Sequence, residues 1–354
     1  MSDAPNSARL EAAAGSGGVA RSGRPRSRAW RRFRRNRLAV AGTVYLGALF
    51  AVVVVGLPFS SSWYDVQAPR NAVRHPPARG RVVDCARYER AQQSSRLGQA
   101  FAFAAPAFHR AAAWWGYDSI GRSVLFRCLF GFLISMAIGL GAAVLAVTVG
   151  VLWGAVAALA GGAVDTVMMR VVDVLFGLPY ILMVILFKIA LETPLDRLCG
   201  GRGQLANVVL LVVAIGAVSW LTMARVIRGQ VLSLREQPFV EAARALGAGR
   251  LRILVRHLLP NLVGPIMVYA TLVIPQAILQ ESFLSFLGLG VQQPLPSLGR
   301  LAADGVQAVN TFVGYWWLIV FPCGLLVTTL LACNFVGDGL RDAFDPKSQA
   351  APLA

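Results

Sequence analysis

The chain has little charge and almost no lysine. Asp, Glu, Lys and Arg make up 14% of its 354 residues, and only Lys188 and Lys347 are lysines. Neither sits in a GxxxxGK[ST] run, so the chain has no P-loop with which to hold the phosphates of a nucleotide. Histidine is as scarce: His75, His109 and His257 are dispersed, and no HExxH or GxSxG occurs, which leaves no metal or nucleophile constellation. Cys85, Cys128, Cys199, Cys323 and Cys333 show no CxxC spacing. Catalysis in this chain is therefore not expected, nor is a bound metal or cofactor.

What the chain has is apolar length. It is 56% hydrophobic with a positive mean hydropathy, more than the surface of a soluble domain of this size tolerates. A helix needs about 20 apolar residues to cross a bilayer. Six stretches qualify, at 38–58, 134–152, 171–191, 205–223, 263–284 and 316–335, so an all-α polytopic membrane protein with six transmembrane helices is expected. The second stretch is ambiguous, because apolar sequence runs on from Leu129 to Ala160. The sequence thus divides into a basic, disordered tail at 1–37, a first span at 38–58, a long outer loop at 59–133, a five-span core at 134–336 and a tail at 337–354.

Charge placement orients the chain. The net charge of +17 is almost wholly arginine. Arg21, Arg24, Arg26, Arg28, Arg31, Arg32, Arg34, Arg35 and Arg37 precede the first span, which puts the N-terminus in the cytoplasm by the positive-inside rule, and six spans return the C-terminus to the same side. The loop at 59–133 carries ten arginines, but long loops translocate largely regardless of charge. The N-terminal tail lacks the aromatic interleaving of a nucleic-acid arm and suits lipid headgroups instead. Its basic region is too long, and the apolar run after it too full, for a cleaved signal peptide. With this topology Cys85 and Cys199 share the outer side, where a disulfide could form.

Between the fourth and fifth spans the chain reads EAARALGAGRLRILVRHLLPN (241–261). Pro238 suits the first turn of a helix, Glu241 lies near the positive end of its dipole, and Gly247 supplies a stop, so a short helix, a turn and a second helix are expected. Ala242, Ala243 and Ala245 keep the first helix thin, while Arg244, Arg250, Arg252 and Arg256 hold the loop in water or near anionic headgroups. A basic surface helix that docks nothing is the plainer alternative.

Glu241, Ala242, Ala243, Gly247, His257, Leu259 and Pro260 resemble the EAA loop of bacterial ABC importer permeases. The likeness extends over most of 115–347. WGYDSIGRS (115–123) resembles the GTDxxGRD element of the dipeptide, oligopeptide and nickel group, with Tyr117 and Ser123 in place of Thr and Asp. GGAVDTVMMRVVDVLFGLP (161–179), ESFLSFLGLG (281–290), VQQPLPSLGR (291–300) and GDGLRDAFDP (337–346) resemble the same group, and His257 points to its C-type subunit. The resemblance implies a type I permease fold in a bacterial inner membrane and a pathway shared with a second permease subunit. It also implies ATPase subunits that bind ATP-Mg and dock on the 225–261 loop, and an extracytoplasmic solute-binding protein. Peptides are the implied cargo, with nickel complexes or glutathione as alternatives.

Three ionisable features remain. Glu281, with Ser282 and Ser285 beside it, is a candidate for lining the pathway or a gate, because carboxylates inside membranes are functional by default. The other reading is a structural carboxylate bonded to those serines, and an ion-coupled secondary transporter using Glu281 is the alternative function. Arg170 and Asp173 are spaced to pair on one helix face. Lys188 is expected to snorkel from the third span toward the outer surface.

Overall fold

The computed structural model describes residues 31–67, 87, 90, 105–198, 203–308 and 314–344. Within them lie α1 (Arg37–Trp63), α2 (Ala105–Trp115), α3 (Val124–Ala160), α4 (Gly162–Phe176), α5 (Tyr180–Leu198), α6 (Gly203–Arg235), α7 (Pro238–Ala245), α8 (Arg250–Ile253), α9 (Leu259–Phe286), α10 (Leu298–Ala308) and α11 (Trp317–Phe344), with a π-helical turn, Leu254–Leu258, joining α8 to α9. Among the described residues the only β pairing is an isolated bridge between Tyr117 and Ser123. Cys85, Cys199 and most of the basic tail lie outside them.

Five helical runs are long and apolar enough to cross a membrane: Arg37–Leu57, Val124–Ala160, Gln204–Arg235, Arg250–Phe286 and Trp317–Phe344. At about 1.5 Å per residue the 37 residues of α3 span about 55 Å, well beyond a hydrocarbon core of about 30 Å. This resolves the ambiguous second stretch, since one helix begins at Val124 and absorbs the whole apolar run. A straight third span at 171–191 is not what forms. That stretch straddles two helices, α4 and α5, bent by 97°, either a broken span that makes six crossings or a re-entrant pair that leaves five. Gly177 closes α4 by donating to the Asp173 carbonyl at 3.1 Å, and Pro179, which lacks an N–H and biases Leu178 away from helical geometry, forces the restart.

Small residues set the centre of the bundle. α6 lies along α3, where Gly150 and Gly154 meet Met223 and the Ala224 carbonyl; a Cβ at Gly154 would overlap that carbonyl. Close approach of this kind is how helices associate where lipid supplies no hydrophobic driving force. Ile138, Ala142, Leu211, Ile215 and Ala277 fill the space between α3, α6 and α9 and are fully buried. α11 packs on α1 and α9, and α10 is wedged between α9, α11 and α3. At the start of α1, Asn36 Oδ1 accepts the N–H groups of Leu38 and Ala39 at 3.2 Å, an N-cap, and its Nδ2 donates to Asp342 of α11. Val44, Val52 and Val55 on α1 and Val167, Val174, Leu186 and Ile189 on α4 and α5 stay exposed, as lipid or a second subunit requires.

Candidate functional site

The loop between α6 and α9 folds as its residues dictate. Pro238 occupies the first turn of α7, where its missing N–H costs nothing, and Glu241 lies in the same turn. The helix ends in a Schellman arrangement: Ala248 N–H donates to the Ala243 carbonyl at 3.0 Å and Gly247 N–H to that of Arg244 at 2.9 Å, with Gly247 at φ +77°. Only glycine adopts that angle freely. Val240, fully buried, pins α7 to the ends of α3 and α6.

The second half of the loop carries a π turn, and Pro260 accounts for it. A proline ring collides with the carbonyl four residues back, here Arg256, inside that turn. Asn261 Nδ2 then donates to the His257 carbonyl at 2.7 Å. Glu241, Ala242, Gly247 and Pro260 are exposed, and Ala243, His257 and Leu259 half-buried. Beside them stand two leucines that sequence reasoning did not single out. Leu246 is 89% exposed and Leu251 72%, the highest values among the exposed large apolar residues of the described chain. Their signal was present in the sequence as apolar residues bracketing a glycine stop in an arginine-rich loop.

Glu281 is buried, with no accessible surface, in the middle of a serine cluster. Its Oε1 accepts from Ser285 Oγ at 2.7 Å and Ser297 Oγ at 2.6 Å, and its Oε2 from Ser135 Oγ at 3.2 Å. Ser135 belongs to α3 and Ser297 to the turn before α10. Ser135 Oγ in turn accepts the Leu298 N–H at 3.1 Å, and Ser297 Oγ caps α10 by accepting the Arg300 N–H at 3.1 Å. Ser282 donates to the Ile278 carbonyl at 2.8 Å and lies under Gly299, where any Cβ would strike it. The three candidate residues thus lie where α10 sits on α9, and Glu281 is closed off from solvent there.

The far side of α10 is held by charge. Arg127, 3% exposed, reaches Asp118 at 3.1 Å and Asp304 at 3.4 Å, while Arg122 binds Asp118 at 2.7 Å and Arg300 binds Asp304 at 3.0 Å. Asp118 also accepts the N–H groups of Ile120 and Arg122, closing the turn that the Tyr117–Ser123 bridge begins. A cleft of about 360 Å³ opens beside this network.

Two expected contacts are replaced. Asp173 pairs with Arg225 of α6 at 2.9 Å, not with Arg170, and Arg225 sits 3.9 Å from the Phe176 ring. One turn on, Arg228 grips Asp165 with two bonds of 2.6 Å, so α4 is clasped to α6 at two levels. Lys188 does not snorkel. It is 5% exposed and donates to the Leu289 carbonyl at 2.6 Å, since α5 turns its Nζ into the bundle.

The family of binding-protein-dependent transport system inner membrane components matches residues 146–349, well over half of the chain. The chain belongs to that family. The N-terminal transmembrane domain of oligopeptide transport permease C also matches, at 24–77, ahead of the stretch in which sequence reading found its likeness. The permease is 37% identical over 319 residues to the dipeptide transport system permease protein DppC of Bacillus subtilis (strain 168), covering 90% of this chain and 85% of that one. With the oligopeptide transport system permease protein OppC of the same strain it shares 36% over 316 residues, 89% and 88% of the two chains. With OppC of Escherichia coli (strain K12) it shares 44% over 236 residues, 67% and 73%. Membership settles the choice against an ion-coupled secondary transporter, and the buried, serine-bound Glu281 agrees with it. Among the described residues no group of three or more His, Cys, Asp or Glu side chains is placed to hold a metal.

Proposed function

We propose that the permease is one of two membrane subunits enclosing the pathway of an ATP-driven importer of di- or oligopeptides. Separate ATPases bind ATP-Mg and dock on the α7 loop, and a binding protein delivers cargo from the other side of a bacterial inner membrane. The observation that carries docking is the exposed strip of Glu241, Ala242, Leu246, Gly247 and Leu251, in which two leucines stand in water at a site fixed by Val240 and a glycine stop. Exposed apolar residues rimmed by charge mark a protein contact. Peptide cargo is supported by the dipeptide and oligopeptide permeases that match about 90% of the chain. The arginines before α1 support a cytoplasmic N-terminus, which places the α7 loop on the side of the ATPases.

ATP closure of the ATPase pair would push α7. The packing of Val240 against α6 and α3 would pass that movement to the clasp between α6 and α4, and so to the bent α4–α5 pair. The test is an affinity pull-down of the solubilised permease from its own membrane, with Glu241→Lys and Gly247→Pro beside the wild type. An ATPase and a second permease should accompany the wild type, and both variants should stay in the membrane yet lose substrate-stimulated ATP hydrolysis. Normal stimulation in both variants removes the docking assignment.

A further inference from the structure

Behind α7 lies a cleft of about 550 Å³ between the coupling helix and the ends of α3 and α6. Its floor is apolar, made by Leu159, Ala160, Ile253 and Leu258; its charged lining is Arg235, Arg244 and Arg250 with Glu236 and Glu241. None of the ion pairs among the described residues involves any of these five charged side chains. Among the described residues Arg235 donates Nη1 to the Ala158 carbonyl at 3.3 Å, which holds its guanidinium at the end of α3 beside the cleft, and its charge also acts on Asp165.

We infer that this cleft binds the headgroup of an anionic glycerophospholipid from the cytoplasmic leaflet. Three guanidiniums, Arg235, Arg244 and Arg250, line one cleft, enough donors to meet the oxygens of one phosphodiester. Guanidinium forks suit phosphate oxygens, and the two carboxylates can accept from the hydroxyls of a glycerol headgroup. The cleft lies where membrane-spanning helices end, with apolar side chains on its floor for the glycerol backbone, and basic pockets between transmembrane helices on this side take acidic headgroups. A lipid there wedges α7 against α3 and α6, so lipid occupancy tunes the stiffness of the coupling element. The inference takes its cytoplasmic side from the proposed function.

The test uses the assembled transporter, purified in detergent and titrated with dioleoyl phosphatidylglycerol while native mass spectrometry counts retained lipid. Wild type should keep phosphatidylglycerol against an excess of phosphatidylcholine. Arg235→Gln/Arg250→Gln should weaken retention at least about tenfold, the effect of roughly 1.4 kcal/mol, and Arg256→Gln, outside the cleft, should not. If the double variant fails to accumulate, Arg250→Gln alone, at an exposed position, carries the comparison. Equal retention in wild type and variants overturns the inference. So does displacement by millimolar inorganic phosphate, which would make free phosphate the ligand. A wild type that keeps no lipid while the variants shed the ATPase also overturns it, because the occupant is then an acidic ATPase segment. The lipid count is read on the permease itself, so absence of an ATPase from the wild-type sample would refute the importer reading and leave this result intact.

Discussion

Replacing Glu281 by alanine should release α10 from its seat without dismantling the bundle. The carboxylate takes hydrogen bonds from three serines on three segments, and two of those serines hold the first N–H groups of α10. A net bond of this kind contributes about 1 kcal/mol, and a buried donor left without a partner costs about 1–3 kcal/mol. Ser285 can turn back to its own helix, as Ser282 already does, so its loss is small. Ser297 precedes α10 and has no such carbonyl, and Ser135, though on α3, holds the Leu298 N–H and gives it up on turning back, so both losses fall on α10. The sum is about 3 kcal/mol, a shift of roughly 150-fold in the local opening of the segment. Hydrogen exchange read by mass spectrometry over 297–308 should accelerate by about two orders of magnitude in Glu281→Ala, with exchange in α3 and α6 little changed. Glu281→Gln keeps an acceptor for two serines and should fall well short of that. Unchanged exchange over 297–308 in Glu281→Ala would refute the clamp, and would return Glu281 to the pathway.

The clasp between α4 and α6 makes a separable prediction. Asp165→Asn and Arg228→Gln should each reduce transport, and a double-mutant cycle on thermal stability should give a coupling of about 1 kcal/mol, as a partly exposed two-bonded pair allows; additive effects would show that the pair is incidental. The exchange Asp165→Arg with Arg228→Asp should restore part of the transport lost in either single change. Gly154→Leu should lower the amount of permease in the membrane severalfold, measured by immunoblot of the membrane fraction, since the side chain has no space before the Ala224 carbonyl. Gly47→Leu, where a Cβ meets nothing, should leave that amount unchanged.

Much of the site was legible because local chemistry decides it. The α7 loop needed only a proline at a helix start and a glycine at its end, and the helix and its stop formed at those residues, while the π turn before Leu259 went unforeseen. Glu281 was legible as unusual, and its two readings were both in view; which of them holds depends on Ser135, 146 positions away in the chain, and on Ser297. Asp173 shows the opposite failure. Helix spacing offered it Arg170 on the same helix, but Arg225 approaches from α6, a partner that no period along one helix can reveal.

By itself the sequence determined that this chain lives in a membrane, how many apolar stretches it has, and where its polar loop breaks. These are one-dimensional properties, fixed by hydropathy summed over about 20 residues and by the backbone habits of proline and glycine. Only the tertiary structure decided that the third apolar stretch bends by 97°, that Lys188 points inward, that Leu246 and Leu251 stand out in water, and that Glu281 binds the serines that hold α10. Each of those outcomes depends on which helix faces which, and inside a bilayer that choice is made by close packing at glycines such as Gly150 and Gly154 and by buried polar groups finding partners on distant segments.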